Sequence, residues 1–187
     1  MERLAEIGIT EIPSTVPKLR LKGKEVRIRR REYQKHYYDV KVTTFDHLKL
    51  LVGNPDRSLE TNDGRELVPY LMDAREVPDG KLDDFRKLSV FEQVAVHKAA
   101  KNIVYGHSRA LAFSEYQLAN LTEWILKQLG HPLPVFQCPD LDVANGTIVT
   151  FSDAAVLNFG IVTVHGSGSI KLESAAKIFA NDMRVVP

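Results

Sequence analysis

Shifting the segment from Pro134 to Val185 by 21 residues lays apolar residues on apolar residues, and this repeat constrains the fold more than any other feature. Phe136 falls on Leu157 and Ile178, and Cys138 on Phe159 and Ala180. Leu141 falls on Val162 and Met183, and Val143 on Val164 and Val185. Val149 meets Ile170, Phe151 meets Leu172, and Ala155 lies between Pro134 and Ala176. Matched positions come in pairs two residues apart, the spacing at which strand side chains share a face. A period near 20 with strand spacing inside it predicts a β-solenoid, whose stacked rungs merge like faces into one core.

The 187-residue chain is long enough for one or two domains, and its 44% hydrophobic and 26% charged content is that of a folded protein. The fold class expected is α+β: an N-terminal mixed β/α region and a helical middle, then a C-terminal β-solenoid (β-helix) of about two to three 21-residue rungs. Residues 1–17, punctuated by Pro13 and Pro17, read as a lead-in. Residues 18–80 read as β-rich. Leu19, Leu21, Val26 and Ile28 alternate with cations around Gly23, which predicts a basic hairpin. Tyr37–Thr44 reads as a strand, and 47–52 as a strand or a short helix. From Gly53 to Gly80, Asn, Asp, Pro and Gly predict loops around an apolar run, Leu67–Met72.

Helices are expected across 81–130. Ser89 caps one with Val90, Phe91, Val94, Ala95, Ile103 and Val104 as its apolar positions. Ser114 and Gln117 approximate a capping box for a second. Its stripe is Leu118, Leu121, Ile125 and Leu129 with Trp124 beside it, and Gly130 stops it. The solenoid is expected over 134–187, with the Ser114–Leu129 helix covering its first rung. No sequence after Pro187 supplies a cover at the other end, so either the N-terminal region folds back there or a second copy stacks on it.

Charge is distributed unevenly. Nine basic residues between Lys18 and Lys35 are opposed only by Glu25 and Glu32, so this segment carries +7 within a chain of net charge +1. Lys18, Arg20, Lys22, Arg27, Arg29, Arg30 and Arg31 are therefore candidate ligands for a polyanion, with Tyr33, Tyr37 and Tyr38 nearby to stack on bases or sugars. The competing reading is a solvated face whose cations block edge pairing or bind the acidic remainder.

Other candidate chemistry is thin. The six histidines show no metal-ligand spacing, His36 with Asp39 and His47 being the nearest grouping, and no metal or cofactor is expected. Asp140-Leu141-Asp142 with Asn145-Gly146 departs from calcium-loop spacing and reads as a corner turn. Gly166-Ser167-Gly168-Ser169 lacks the phosphate-loop pattern and falls where a rung needs a tight corner. Ser108 beside His107, in Tyr105–Arg109, lacks a nucleophile elbow. Cys138 reads as a buried hydrophobe, since one cysteine makes no internal disulfide.

No stretch approaches the roughly 20 apolar residues of a membrane helix, and Met1–Glu6 lacks a secretory apolar core, so a cytoplasmic protein with no membrane partner is expected. Two and a half rungs span only about 12 Å, too little for an extended sugar groove. A short β-helical stack is similar in architecture to assembly modules such as the bactofilins, whose stacked rungs polymerise; no family motif accompanies the likeness. The function expected is thus non-enzymatic self-association, with Ile178, Met183 and Val185 as candidate homo-oligomer interface. The alternative is a polyanion-binding accessory protein acting through 18–35. A third reading is an enzyme with a cleft between helices and solenoid holding Tyr105, His97 or His107.

Overall fold

Valine, leucine and phenylalanine at strand spacing bury one face of a pleat, and the chain uses them to build two parallel sheets. The computed structural model describes residues 9, 11–52, 77–78, 82–105, 113–173 and 177–187. Among these residues the architecture is mixed α+β with three α-helices. The strands are β1 (Leu19–Leu21), β2 (Glu25–Ile28), β3 (Tyr37–Val40), β4 (Leu133–Val143), β5 (Ile148–Phe151), β6 (Val156–His165), β7 (Ser169–Leu172) and β8 (Lys177–Val186). By contacts the chain divides into two units, Met1–Lys41 with Pro132–Pro187, and Val42–His131.

In the first unit one sheet runs β1-β4-β6-β8, with β3 also on β4, and the other runs β2-β5-β7. β4, β6 and β8 are parallel, and the register pairs Phe136 with Leu157 and Leu157 with Ile178. β5 on β7 keeps the same 21-residue offset, pairing Val149 with Ile170 and Phe151 with Leu172. The chain therefore crosses from one sheet to the other and returns one strand further along. Phe136, Cys138, Leu141, Leu157, Phe159 and Val162 from the first sheet meet Ile28, Val149 and Phe151 from the second in one buried core. Phe136, Phe151 and Phe159 form its centre, with ring centroids 5.0–5.9 Å apart.

The pleat breaks once in each long strand. Pro139 and Gly160 are skipped in the β4–β6 pairing, and Gly160 and Asn181 in the β6–β8 pairing. Core-facing residues accordingly switch from 136 and 138 to 141 and 143. At this bend the backbones approach so closely that a Cβ on Gly160 would lie 2.3 Å from the Pro139 carbonyl oxygen.

The basic segment does not form the expected hairpin. β1 pairs parallel with β4, and β2 parallel with β5, so consecutive strands lie in different sheets. Leu19, Leu21, Val26 and Ile28 do turn one face to the core. That alternation suits a hairpin and a coil equally, and burying it between two sheets completes a core that a lone hairpin lacks. β3 returns antiparallel along the first half of β4, so β1 and β3 together fill that edge. The N-terminal strands thus fold back onto the β4–β5 end of the stack and not onto β8.

The second unit holds α1 (Phe45–Val52), α2 (Val90–Tyr105) and α3 (Glu115–Leu129). Residues 47–52 are helical, with Thr44 Oγ1 accepting from the His47 amide. Ser89 caps α2 reciprocally with Glu92, and Ser114 caps α3 reciprocally with Gln117. Gly130 ends α3 at φ 52°. α2 buries Ala95, Val96, Ala99, Ile103 and Val104, whereas Val90, Phe91 and Val94 are exposed. They project from the opposite side, because 100° per residue separates them from the Val96–Ala99–Ile103 face. The loops expected over 53–80, with Leu67–Met72, lie outside the described residues except 77 and 78. So does Ala176.

Leu157 is fully buried between the two sheets. Leu157→Ala should cost about 2–5 kcal/mol in urea unfolding. Gly160→Ala adds only a methyl group yet should cost about 1–3 kcal/mol, because the Pro139 backbone has to move. An unchanged midpoint for either would contradict the register described here.

Candidate functional site

Parallel pairing of β1 on β4 brings opposite charges side by side along the outer face of the first sheet. Arg20 lies against Asp142 in register, and its Nε is 3.3 Å from Asp142 Oδ2. Lys18 pairs with Asp140. Arg27 Nη2 reaches Glu173 Oε1 at 2.9 Å. His165 Nε2 lies 3.2 Å from the other Asp142 oxygen. Arg30 makes two parallel bonds of 2.8 Å to Asp39, and its backbone N–H donates to Asp153 at 2.9 Å. The Arg30 guanidinium holds the Asp39 carboxyl below its usual range by direct hydrogen bonding. Each exposed pair contributes at most about 1 kcal/mol, so their effect is on alignment more than on stability.

Four of the seven candidate polyanion ligands, Lys18, Arg20, Arg27 and Arg30, therefore have carboxylate partners. Lys22, Arg29 and Arg31 are exposed and form no ion pair among the described residues. The sequence offers pairing with the acidic remainder as the competing reading but does not separate these sets, because the partners Asp140, Asp142 and Glu173 lie far away in the chain.

The loop after β2 shapes an open depression of about 420 Å³ lined in part by Arg31, Tyr33, Lys35 and His36. His36 ends the short 3-10 turn Gln34–His36 and is buried. Its ring stacks on Phe136 at 5.3 Å, and its Nδ1 lies 3.0 Å from the Gln137 carbonyl. A carbonyl only accepts, so Nδ1 carries the proton. Burial pushes the imidazole below its ordinary value. Of the tyrosines expected to stack on a ligand, Tyr37 is buried edge-on to Phe136 instead, and its hydroxyl has no hydrogen-bond partner among the described residues. Tyr33 is half-buried beside His36.

The remaining candidates separate. Among the described residues no three His, Cys, Asp or Glu side chains converge as metal ligands. Asp140-Leu141-Asp142 lies within β4 and not in a turn; the corner is Asn145-Gly146, with Gly146 at φ 73°. Gly166-Ser167 makes the corresponding corner 21 residues on. There the Asn145 side-chain oxygen accepts from the Ser167 amide at 2.9 Å and its hydroxyl at 3.0 Å. Cys138 is buried, and desolvation pushes its thiol up to about 11, so it is not a thiolate at neutral pH. His97 packs edge-on against Phe85 and Trp124. His107, Ser108 and Arg109 lie outside the described residues.

At the far end of the stack, β8 pairs with β6 on one side and has no strand on the other among the described residues. Its core-facing residues lose the cover their counterparts have. Leu157 and Val162 are fully buried, whereas Ile178 is 37%, Met183 60% and Val185 80% exposed. No helix among the described residues is long and apolar enough to cross a membrane. No protein-family model, curated protein or solved structure matches the chain.

The buried, neutral His36 makes stability depend on pH. Unfolded imidazole takes up a proton near pH 6.5, higher than the folded one does, so stability is full above that value and declines as pH falls through it. His36→Asn keeps a donor for the Gln137 carbonyl and removes the titration. The loss of thermal stability between about pH 7.5 and about pH 5.5 should be smaller in this variant than in the wild type. Equal losses would show that His36 titrates alike in both states.

Proposed function

We propose that the two parallel sheets are a short β-solenoid and that its β8 end drives self-association, making this a non-enzymatic assembly protein. The observation that carries the reading is the row Ile178, Met183 and Val185 on an edge strand that has no further strand beside it among the described residues. An edge of this kind offers both unpaired backbone groups and apolar surface, and a strand of another chain satisfies both together. The β1 edge is three residues long against ten for β8, and is flanked by Lys18 and Lys22 with Arg20 between them. A closed pair of chains is the commonest outcome for such a contact. The single cysteine, buried as a thiol, suits a reducing compartment and hence the cytoplasm.

A second reading is favoured by the cations without ion-pair partners among the described residues. Lys22, Arg29 and Arg31, with Lys35 beside the depression, leave a positive surface for a nucleic acid or an acidic polysaccharide after the ion pairs are made.

Two measurements separate the readings. Wild-type protein should sediment as an oligomer whose size depends on concentration, and Ile178→Lys with Val185→Lys should shift it to monomer while the circular dichroism stays the same. If both proteins sediment alike, the β8 end does not drive assembly. For the second reading, Arg29→Glu with Arg31→Glu should remove retention on heparin at about 50 mM salt, where phosphate and sulfate contacts are strongest. Wild type passing through without delay ends that reading.

A further inference from the structure

The second reading above leaves the class of polyanion open, and the chemistry of the depression beside Tyr33 narrows it. We infer that the depression takes one sugar residue of an acidic polysaccharide, a hexuronate, whose carboxylate lies on Arg31 and Lys35 and whose hydroxyls donate to Glu32 and His36. The inference rests on that second reading, and the experiment below distinguishes the failure of one from the failure of the other.

The loop that shapes the depression is held before any ligand arrives. The Glu32 and Tyr33 amides both donate to the Arg29 carbonyl, at 3.0 and 3.1 Å, and the His36 amide donates to the Tyr33 carbonyl at 2.9 Å. Arg30 ties the start of the loop to Asp39 and Asp153, and His36 ties its end to Gln137. A loop fixed in this way gives up little conformational freedom on binding. The volume of about 420 Å³ lies toward the small end of ligand pockets, about 300–1,000 Å³, and suits a single residue of a polymer more than a long stretch of it.

Charge alone does not describe this surface. Arg31 and Lys35 line it without an ion pair among the described residues, but Glu32 lines it too and is equally without one. A phosphate or sulfate group gains from the two cations and is repelled by the carboxylate. His36 adds a second acceptor. Its Nδ1 proton is committed to the Gln137 carbonyl, so Nε2 carries a lone pair, and Nε2 has no partner among the described residues. The residue is 3% exposed and lines the depression. Burial lowers the proton affinity of the imidazole, which keeps Nε2 an acceptor at neutral pH.

Two cations beside two acceptors call for a ligand that carries an anionic group and hydroxyl donors close together. DNA brings phosphates without hydroxyls, and RNA brings one hydroxyl for each phosphate. A uronate residue brings more than one for each carboxylate. The Gln34 amide, also in the lining, both donates and accepts, and suits hydroxyls as well. Tyr33, half-buried and set edge-on to His36 at 6.1 Å, supplies an aromatic ring for the apolar C–H face of a sugar.

The test uses the whole chain at about 50 mM salt, where contacts to anions are strongest, with binding read by calorimetry. The probes are short oligomers of galacturonate, mannuronate and glucuronate. At least one should bind, its methyl ester should not, and DNA and RNA oligonucleotides of equal charge should bind more weakly. Glu32→Gln decides between the classes, because its effect has opposite signs for them. Loss of the charged acceptor should weaken the uronate about ten-fold, whereas a ligand held by positive charge alone should bind more tightly. Glu32 is exposed, and an unchanged circular dichroism spectrum shows that the variant is folded. Retention on heparin with no binding of any of the three uronates, or with tighter uronate binding by Glu32→Gln, overturns the uronate site and leaves the polyanion reading. Oligonucleotides that bind more tightly than every uronate assign the surface to nucleic acid and overturn it too. Absence of both heparin retention and uronate binding ends the polyanion reading and this inference with it.

Discussion

Backbone hydrogen bonds between β4 and β6, and between β6 and β8, hold each residue beside the one 21 positions later. In such a register every side chain lies roughly 4.8 Å from its counterpart, so whatever is placed at a position has to tolerate its equivalent next to it. Aliphatic and aromatic residues gain from that proximity and fill the core columns. Charges of one sign do not. The outer columns run Lys18, Asp140, Ile161, Asp182 and Arg20, Asp142, Thr163, Arg184, in which no two adjacent residues carry the same charge. The parallel register thus decides where the chain can be charged, and the ion pairs of the basic segment follow from it.

Those pairs reduce the apparent excess of positive charge. A +7 segment suggests a polyanion surface, yet Lys18, Arg20, Arg27 and Arg30 face carboxylates supplied by β3, β4 and the turn after β7. The cations of this segment left without an ion pair among the described residues are fewer: Lys22, Lys24, Arg29, Arg31 and Lys35. Exposed pairs of this kind add little stability, but they penalise a register slip, since a shift by one residue turns Arg20 from the sheet's outer face toward the core.

The core columns were legible because strand period and repeat period are both local in sequence. Phe136, Leu157 and Ile178 align by inspection, and they pair as aligned. The bend was not expected, although the three-residue step from Cys138 to Leu141 interrupts the alternation at the position where the pairing skips Pro139. Nor were pairing partners outside the repeat legible. Leu19 and Leu21 alternate identically whether they pair with Val26 and Ile28 or with Leu141 and Val143, and only the second arrangement buries them between two sheets. The face of α2 was misjudged because Val90, Phe91 and Val94 fit the helical period as well as the buried set does. Of the candidate sites, the exposed row on β8 could be read from the repeat, whereas the depression at His36 depends on a loop conformation with no sequence signature.

The position of β1–β3 also sets a schedule for folding. Arg30 and the Asp153 carboxylate that accepts its amide are 123 residues apart, and the strands around them are separated comparably. Contacts of such sequence separation form late and slowly. On a ribosome adding 5–20 residues per second, β1 and β2 wait about 6–25 s before β4 and β5 emerge to receive them. Through that interval two short apolar-faced strands stay in water without partners, and the cations alternating along them keep the nascent segment soluble until its acidic counterparts arrive.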